Sequence, residues 1–401
     1  MKGLLLVIGF LPWVVLAAPD EEILGKKEGY PVCPIQQVMR GGQQQCLVGT
    51  YSNFDKVLPA RKVAKGAEAR ALKRAAAEPK VLYSGFTSSG GIDDFLAKNR
   101  NTGLLVMRDD TILVERYQYE RGPEHRFTSM SMAKTVTAML VGISINEGLI
   151  GSIDELASKY VPELAGHPYG ETSIRHLLGM SSGVRFKEVY DGKDDVARLS
   201  RALFVGRATG AQALEPFRER EHPAGTRFHY SSAETYVLGL VLRAAVGKPV
   251  SEYLSEKIWQ PMGAEADAMW TTDAAGQELC YIGLNATLRD WGRFGLLLAS
   301  GGARDGRQII PADFLRVATD PREAARPEDK RRLGYGYQTW TLVGREGAFA
   351  ALGLRGQAVM VDPATKTVVV HTAVHWGAGD PARSDQFALF YAFASQLEKA
   401  Q

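Results

Sequence analysis

The sequence predicts an α/β protein of the α+β kind: one antiparallel sheet of five strands drawn from both ends of the chain, flanked by helices, with a largely helical insertion. Three observations lead there. Near the front, TGLLVM and TILVERY are apolar, β-branched runs joined by Arg108, Asp109 and Asp110, which reads as a hairpin. Near the end, GYGYQTWTLV, QAVMVD and KTVVVHTAVH supply three more strands, the last two turning at Asp362, Pro363 and Ala364, before the closing helix SDQFALFYAFASQLEKA. Between these ends, Phe127 to about Lys330 carries helical apolar spacing punctuated by Gly and Pro.

The chain has 401 residues, 45% hydrophobic and 23% charged, enough apolar material for a sizeable core. Residues 1–18, MKGLLLVIGFLPWVVLAA, combine one Lys, an apolar run and two small residues, the pattern of a secretory signal cleaved after Ala17 or Ala18. That run is shorter than the roughly 20 residues a spanning helix needs. A leader follows over 19–80, then the main unit over 81–400, with its sheet from 81–120 and 333–400 and its helical insertion over about 121–332. The expected location is the periplasm.

A net charge of +3 excludes a generally cationic nucleic-acid binder. The excess is local: the segment RKVAKGAEARALKRAAAEPK, residues 61–80, holds seven basic and two acidic residues. Its Ala-rich pattern reads as a solvated helix or linker, with weak attraction to an anionic envelope surface as the alternative. Cys33 and Cys46 flank a Gly- and Gln-rich loop and are a disulfide candidate in an oxidising compartment, worth roughly 3 kcal/mol. Cys280, in ELCYIGL, reads as a buried small hydrophobe. His371 and His375 sit in a β-branched run, where their spacing separates them too far for one metal. No metal site or cofactor is expected.

Two serine motifs compete. Gly179-Met180-Ser181-Ser182-Gly183 satisfies Gly-x-Ser-x-Gly, but that elbow needs a strand before the serine and a helix after it. Here SIRHLLGM precedes it with helical spacing and Val184-Arg185-Phe186 begins no helix, so the motif reads as a helix-ending loop. In the second, Ser131-Met132-Ala133-Lys134, the apolar positions Met132, Val136, Met139, Leu140 and Ile143 predict a buried helix from near Ser131 to near Gly148. Lys134 shares the face of Ser131 one turn on, and desolvation lowers a lysine's pKa toward the range of a base. Local evidence leaves a serine cap beside a snorkelling lysine equally open.

Along the chain, Ser131-x-x-Lys134, HLLGMSSGV, PAGTRFHYSSAETYVLGLVL, LNATLRDWGRFGLLLASGG and GLRGQ stand in order. From about Gly85 to Leu397 the sequence resembles the penicillin-recognising serine hydrolases: class C β-lactamases, DD-peptidases, family VIII esterases and 6-aminohexanoate-dimer hydrolase. The resemblance implies the serine β-lactamase/DD-peptidase fold. It also implies that Ser131 is the nucleophile, activated by Lys134 and the phenol of Tyr230, whose pKa a neighbouring cation would have to lower. The backbone N–H groups of Ser131 and Gln357 would form the oxyanion hole, and an acyl-Ser131 ester would follow.

Two positions depart from that pattern. Ser232 stands where the β-lactamases have Asn, which weighs against strong cephalosporinase action, and Arg355 interrupts the third motif. Ser232, Arg355 and Gly356 are the substrate-binding candidates, the last two expected on a strand, with Arg355 either clamping a carboxylate or pointing away along an edge strand. The implied function is an exported serine hydrolase acting through an acyl-enzyme on a small ester, amide or β-lactam-like substrate. The alternatives are DD-peptidase-type activity or a non-catalytic envelope binding protein on the same fold. Loops such as 186–220 would decide the substrate.

Overall fold

The computed structural model describes residues 18–39, 43–320, 333–342 and 344–398. Except for Ala18, the predicted signal lies outside them. The main sheet comprises β1 (Lys73–Arg74), β2 (Asn101–Arg108), β3 (Thr111–Tyr117), β4 (Leu333–Tyr335), β5 (Trp340–Leu342), β6 (Phe349–Gly353), β7 (Gln357–Asp362) and β8 (Thr367–Ala373). Its spatial order is β4-β5-β6-β7-β8-β2-β3-β1. Strands from the two ends of the chain meet where β8 pairs antiparallel with β2. Only the two-residue edge β1 runs parallel to its neighbour.

The sheet thus has eight strands among the described residues where the sequence predicts five. GYGYQTWTLV is not one strand: it folds back at Gln338, which holds a left-handed φ of 52°, so that β4 and β5 form a hairpin. FAALG forms β6, although its Ala and Gly carry little strand signal. The predicted strand position of Leu354-Arg355-Gly356 is also corrected. These three residues make a single turn between β6 and β7, with Arg355 at φ 62° and Gly356 at φ 89°.

Side-chain alternation gives the sheet two apolar faces. Leu104, Val106, Met360 and Val369 pack against α1 (Ile92–Lys98) and the C-terminal helix. Leu105, Met107, Val359 and Val368 face the layer of α2 (Met132–Asn146) and α4 (Leu288–Ala299), with α3 (Ser232–Val246) packed behind α2, and α5 (Ala382–Glu398) is the C-terminal helix on the first face. Helix α4 lies close because a Cβ at Gly295 would stand 2.5 Å from Val368. Helix α2 is buried from Met132 to Ser144, so it lies inside the core on every side instead of turning one face to solvent. Lys134 is the one charged residue of that run.

The insertion is not only helical. Arg126–Thr128, Ala268–Thr271 and Leu284–Thr287 form a second sheet with Ala60–Val63 from the leader. The segment 61–80 is therefore neither helix nor free linker: it gives one strand to each sheet. Its cations meet carboxylates of the main unit, with Lys62 at 3.8 Å from Asp267, Arg70 at 2.6 Å from Asp305, and Arg74 on Glu115.

The rest of the leader is equally built in. Leu24, Tyr30, Val48, Tyr51 and Phe54 share a buried cluster with Tyr119, Met130 and Val374 of the main unit. Cys33 and Cys46 form a disulfide, with Cα atoms 5.6 Å apart, and Arg100 anchors Asp20 at 2.6 Å. Cys280 is free and buried, and burial pushes its thiol pKa well up. Closing a loop with a sequence separation of 13 stabilises by about 3 kcal/mol. The Cys33→Ser/Cys46→Ser variant is expected to lose about that much in urea unfolding; a loss below about 0.5 kcal/mol would contradict a leader folded onto the main unit.

Candidate active site

Ser131 occupies the N-cap of α2, but its side chain makes no capping hydrogen bond. Its hydroxyl is therefore available. Met130, just before it, is a buried non-glycine residue at φ 43°, a strained conformation that turns the chain sharply into the helix. The β6 end approaches this turn so closely that a Cβ on Gly353 would lie 2.5 Å from the Ser129 carbonyl oxygen and 3.0 Å from the Met130 Cβ. Only glycine fits there, and the contact brings the β6–β7 corner alongside Ser131.

Lys134 lies one turn along α2, 2% exposed. Its Nζ is 2.9 Å from Ser131 Oγ, 3.0 Å from Ser232 Oγ and 3.3 Å from the Tyr281 carbonyl oxygen. Burial lowers its pKa to about 8, against an opposing upward pull from the Glu188 carboxylate. Local sequence left a cap and a snorkelling lysine open; here the hydroxyl caps nothing and the ammonium stays inside.

Ser232 opens α3. Its backbone N–H and its Oγ donate to the two oxygens of Glu188 at 2.7 and 2.8 Å, while its Oγ accepts from Lys134. Glu188 also accepts from the Tyr190 hydroxyl at 2.8 Å. A chain of contacts thus runs from Ser131 through Lys134 and Ser232 to Glu188.

Tyr230 neighbours Ser131, its ring stacked on Trp340 at 5.6 Å and edge-on to Tyr335 at 6.1 Å. The Lys134 Nζ stands 5.1 Å from the centre of that ring. Burial, and then the charge of Glu188, push the phenol pKa far above its usual value. The expectation of a cation-lowered phenol is therefore corrected: Tyr230 holds its proton, and Lys134 is the group whose pKa suits a base.

The β6–β7 corner is divided. Leu354 and Arg355 line a cavity of about 290 Å³ that also contains Ser131, Glu188, Ser232 and Tyr281. Gln357 begins β7 opposite Gly353, is buried, and spends its side-chain N–H on the Ala373 carbonyl at 2.6 Å. Arg355 donates to the carbonyl oxygens of His375, at 2.6 Å, and Trp376, so its guanidinium is engaged with backbone. Gly356 is held from behind: His371 Nδ1–H donates to its carbonyl oxygen, and a Cβ there would stand 2.8 Å from the His375 ring.

Ser181 is elsewhere, its hydroxyl donating at 3.2 Å to the His176 carbonyl at the end of the Ile174–Leu178 helix. Its neighbour Ser182 bonds the buried Glu234 at 2.6 Å, pinning this loop to α3. Sequence reasoning did not single out Glu188, Tyr281 or the leader side chains Tyr51 and Phe54, which line the same cavity. Glu188 sits among several charges in RFKEVYDGKDD and carries no motif of its own.

The Beta-lactamase family model matches residues 92–391. The 6-aminohexanoate-dimer hydrolase of Paenarthrobacter ureafaciens is 29% identical over 306 residues, covering 73% of this chain and 78% of that one. Among solved structures, one from Bacillus anthracis named "Putative 6-aminohexanoate-dimer hydrolase" superposes with a TM-score of 0.80 at 24% identity, covering 92% of this chain and 99% of its own. A penicillin binding protein from Bacillus halodurans superposes with a TM-score of 0.57 at 18% identity, covering 73% and 96%. At such identities the two structures establish the fold, and the family match supplies the rest: the chain belongs to the Beta-lactamase family and is a serine hydrolase.

Proposed function

We propose that the protein is an exported hydrolase that cleaves a small ester or amide through an acyl-Ser131 intermediate. The observation that carries this is the 2.9 Å contact between Ser131 Oγ and a buried Lys134 whose pKa has fallen to about 8. In its neutral form Lys134 takes the Ser131 proton as the oxygen attacks the carbonyl carbon. The Ser131 N–H at the start of α2 and an N–H of the corner 353–357, with Gln357 as the candidate, stabilise the oxyanion. Tyr230 gives its proton to the departing alcohol or amine and regains one from Lys134. Water then attacks the acyl ester, losing a proton along the same path, and Ser131 is released.

The named activity of the Paenarthrobacter ureafaciens relative favours an amide over a β-lactam, as does Ser232 in place of Asn. Export is supported by the signal pattern of 1–18 and by the Cys33–Cys46 bridge. Envelope attachment through 61–80 has less support, because several of its cations are paired within the molecule. The binding-protein alternative leaves a hydroxyl beside a lysine of lowered pKa with no role.

Ser131→Ala is expected to lower kcat/KM for p-nitrophenyl butyrate at least about 1,000-fold and to abolish fluorophosphonate labelling. Activity that survives this change but disappears in Ser181→Ala would overturn the assignment. The pH dependence follows from Lys134. Below about pH 8 its amine is protonated and cannot accept the Ser131 proton, so kcat/KM rises with pH through an inflection near 8. Glu188 holds that pKa up, so Glu188→Gln should move the inflection to lower pH. An unmoved or raised inflection would break the link between the two groups.

A further inference from the structure

Five side chains of the catalytic cavity, Ile35, Val38, Leu47, Tyr51 and Phe54, come from the leader. None carries a charge. Ile35 and Val38 lie inside the loop closed by Cys33 and Cys46, and Leu47 directly follows Cys46, so the bridge fixes where this wall stands. The charges of the facing polar wall are engaged: Asp191 accepts from the N–H groups of Lys193 and Asp194 and lies 3.7 Å from Lys187. Glu188 is held by Ser232 and Tyr190, and Asp194 accepts from the N–H groups of Val189, Tyr190 and Ala197. Arg355 is engaged with the carbonyls of His375 and Trp376.

Position relative to the reacting bond follows from Tyr230. It neighbours Ser131 but packs on Tyr335 and Trp340, outside the lining of this cavity. A leaving group protonated by Tyr230 departs on that side, so the cavity lies on the acyl side. At about 290 Å³ it stands at the lower end of ligand pockets, which span roughly 300–1,000 Å³. We propose that the leader side chains Ile35, Val38, Leu47, Tyr51 and Phe54, clamped by the Cys33–Cys46 bridge, are the specificity wall for the acyl part of the substrate, and that this wall selects a short apolar acyl group. This rests on the reading of Ser131 as the nucleophile.

The test uses the full chain with its disulfide formed and p-nitrophenyl acetate, butyrate and octanoate as probes. Val38 is half-buried and faces the cavity, so it tolerates change better than the fully buried members of the wall. Val38→Trp should lower the butyrate-to-acetate ratio of kcat/KM about tenfold, and Val38→Ala should raise the octanoate-to-butyrate ratio about threefold. Each ratio is taken on one preparation and is independent of the fraction folded. Cys33→Ser/Cys46→Ser, which frees the wall, should bring the three substrates within about threefold of one another. Ratios within twofold of the wild type in both Val38 variants, with Ser131 labelled by a fluorophosphonate, would overturn this inference alone. Absence of labelling at Ser131 in the wild type would remove the catalytic reading beneath it as well.

Discussion

The site depends on keeping one ammonium group out of water. A lysine that remained solvated beside Ser131 would hold its proton up to about pH 10 and could take none from the serine below that. Helix α2 prevents this by being buried on every side, so that Lys134 enters a core, with the Ser131 and Ser232 hydroxyls and the Tyr281 carbonyl as hydrogen-bond partners and the Tyr230 and Tyr281 rings beside it. Glu188 moderates the effect through Ser232. Its charge is close enough to resist full neutralisation of Lys134 and is itself satisfied by the start of α3. The pKa of about 8 is the balance of burial against that carboxylate.

The rest of the fold holds these groups in register. Gly353 lets β6 come against the turn at Ser129 and Met130, and the strained Met130 presents Ser131 at the mouth of α2. The sheet that carries this corner is closed by pairing of the first and last parts of the chain, β2 with β8, so a disturbance of either end reaches the site. The leader completes the enclosure through its own core cluster, which includes Met130.

Much of this was legible in sequence where local chemistry and burial agree. The helical spacing from Met132 to Ile143, the β2–β3 hairpin and the β7–β8 turn all follow from periodicity or turn residues. Strand β6 was not legible, because Ala and Gly carry no strand preference and its place is set by pairing with β7. The turn at Arg355 was hidden for a similar reason: the left-handed φ of a non-glycine residue is imposed by tertiary contacts with His375 and Trp376. Glu188 was hidden because its partners, Ser232 and Lys134, are distant in sequence. The leader's integration was masked by its cations, which signal a solvated segment until their carboxylate partners are seen.

The measurement closest to the central claim is an NMR titration of the folded protein carrying 13C-labelled lysine side chains, with the Lys134 signal assigned by its loss in Lys134→Met. A Lys134 signal that titrates near pH 8 would agree with an amine whose proton burial has loosened. A signal that titrates near 10.5, with the other lysines, would contradict it.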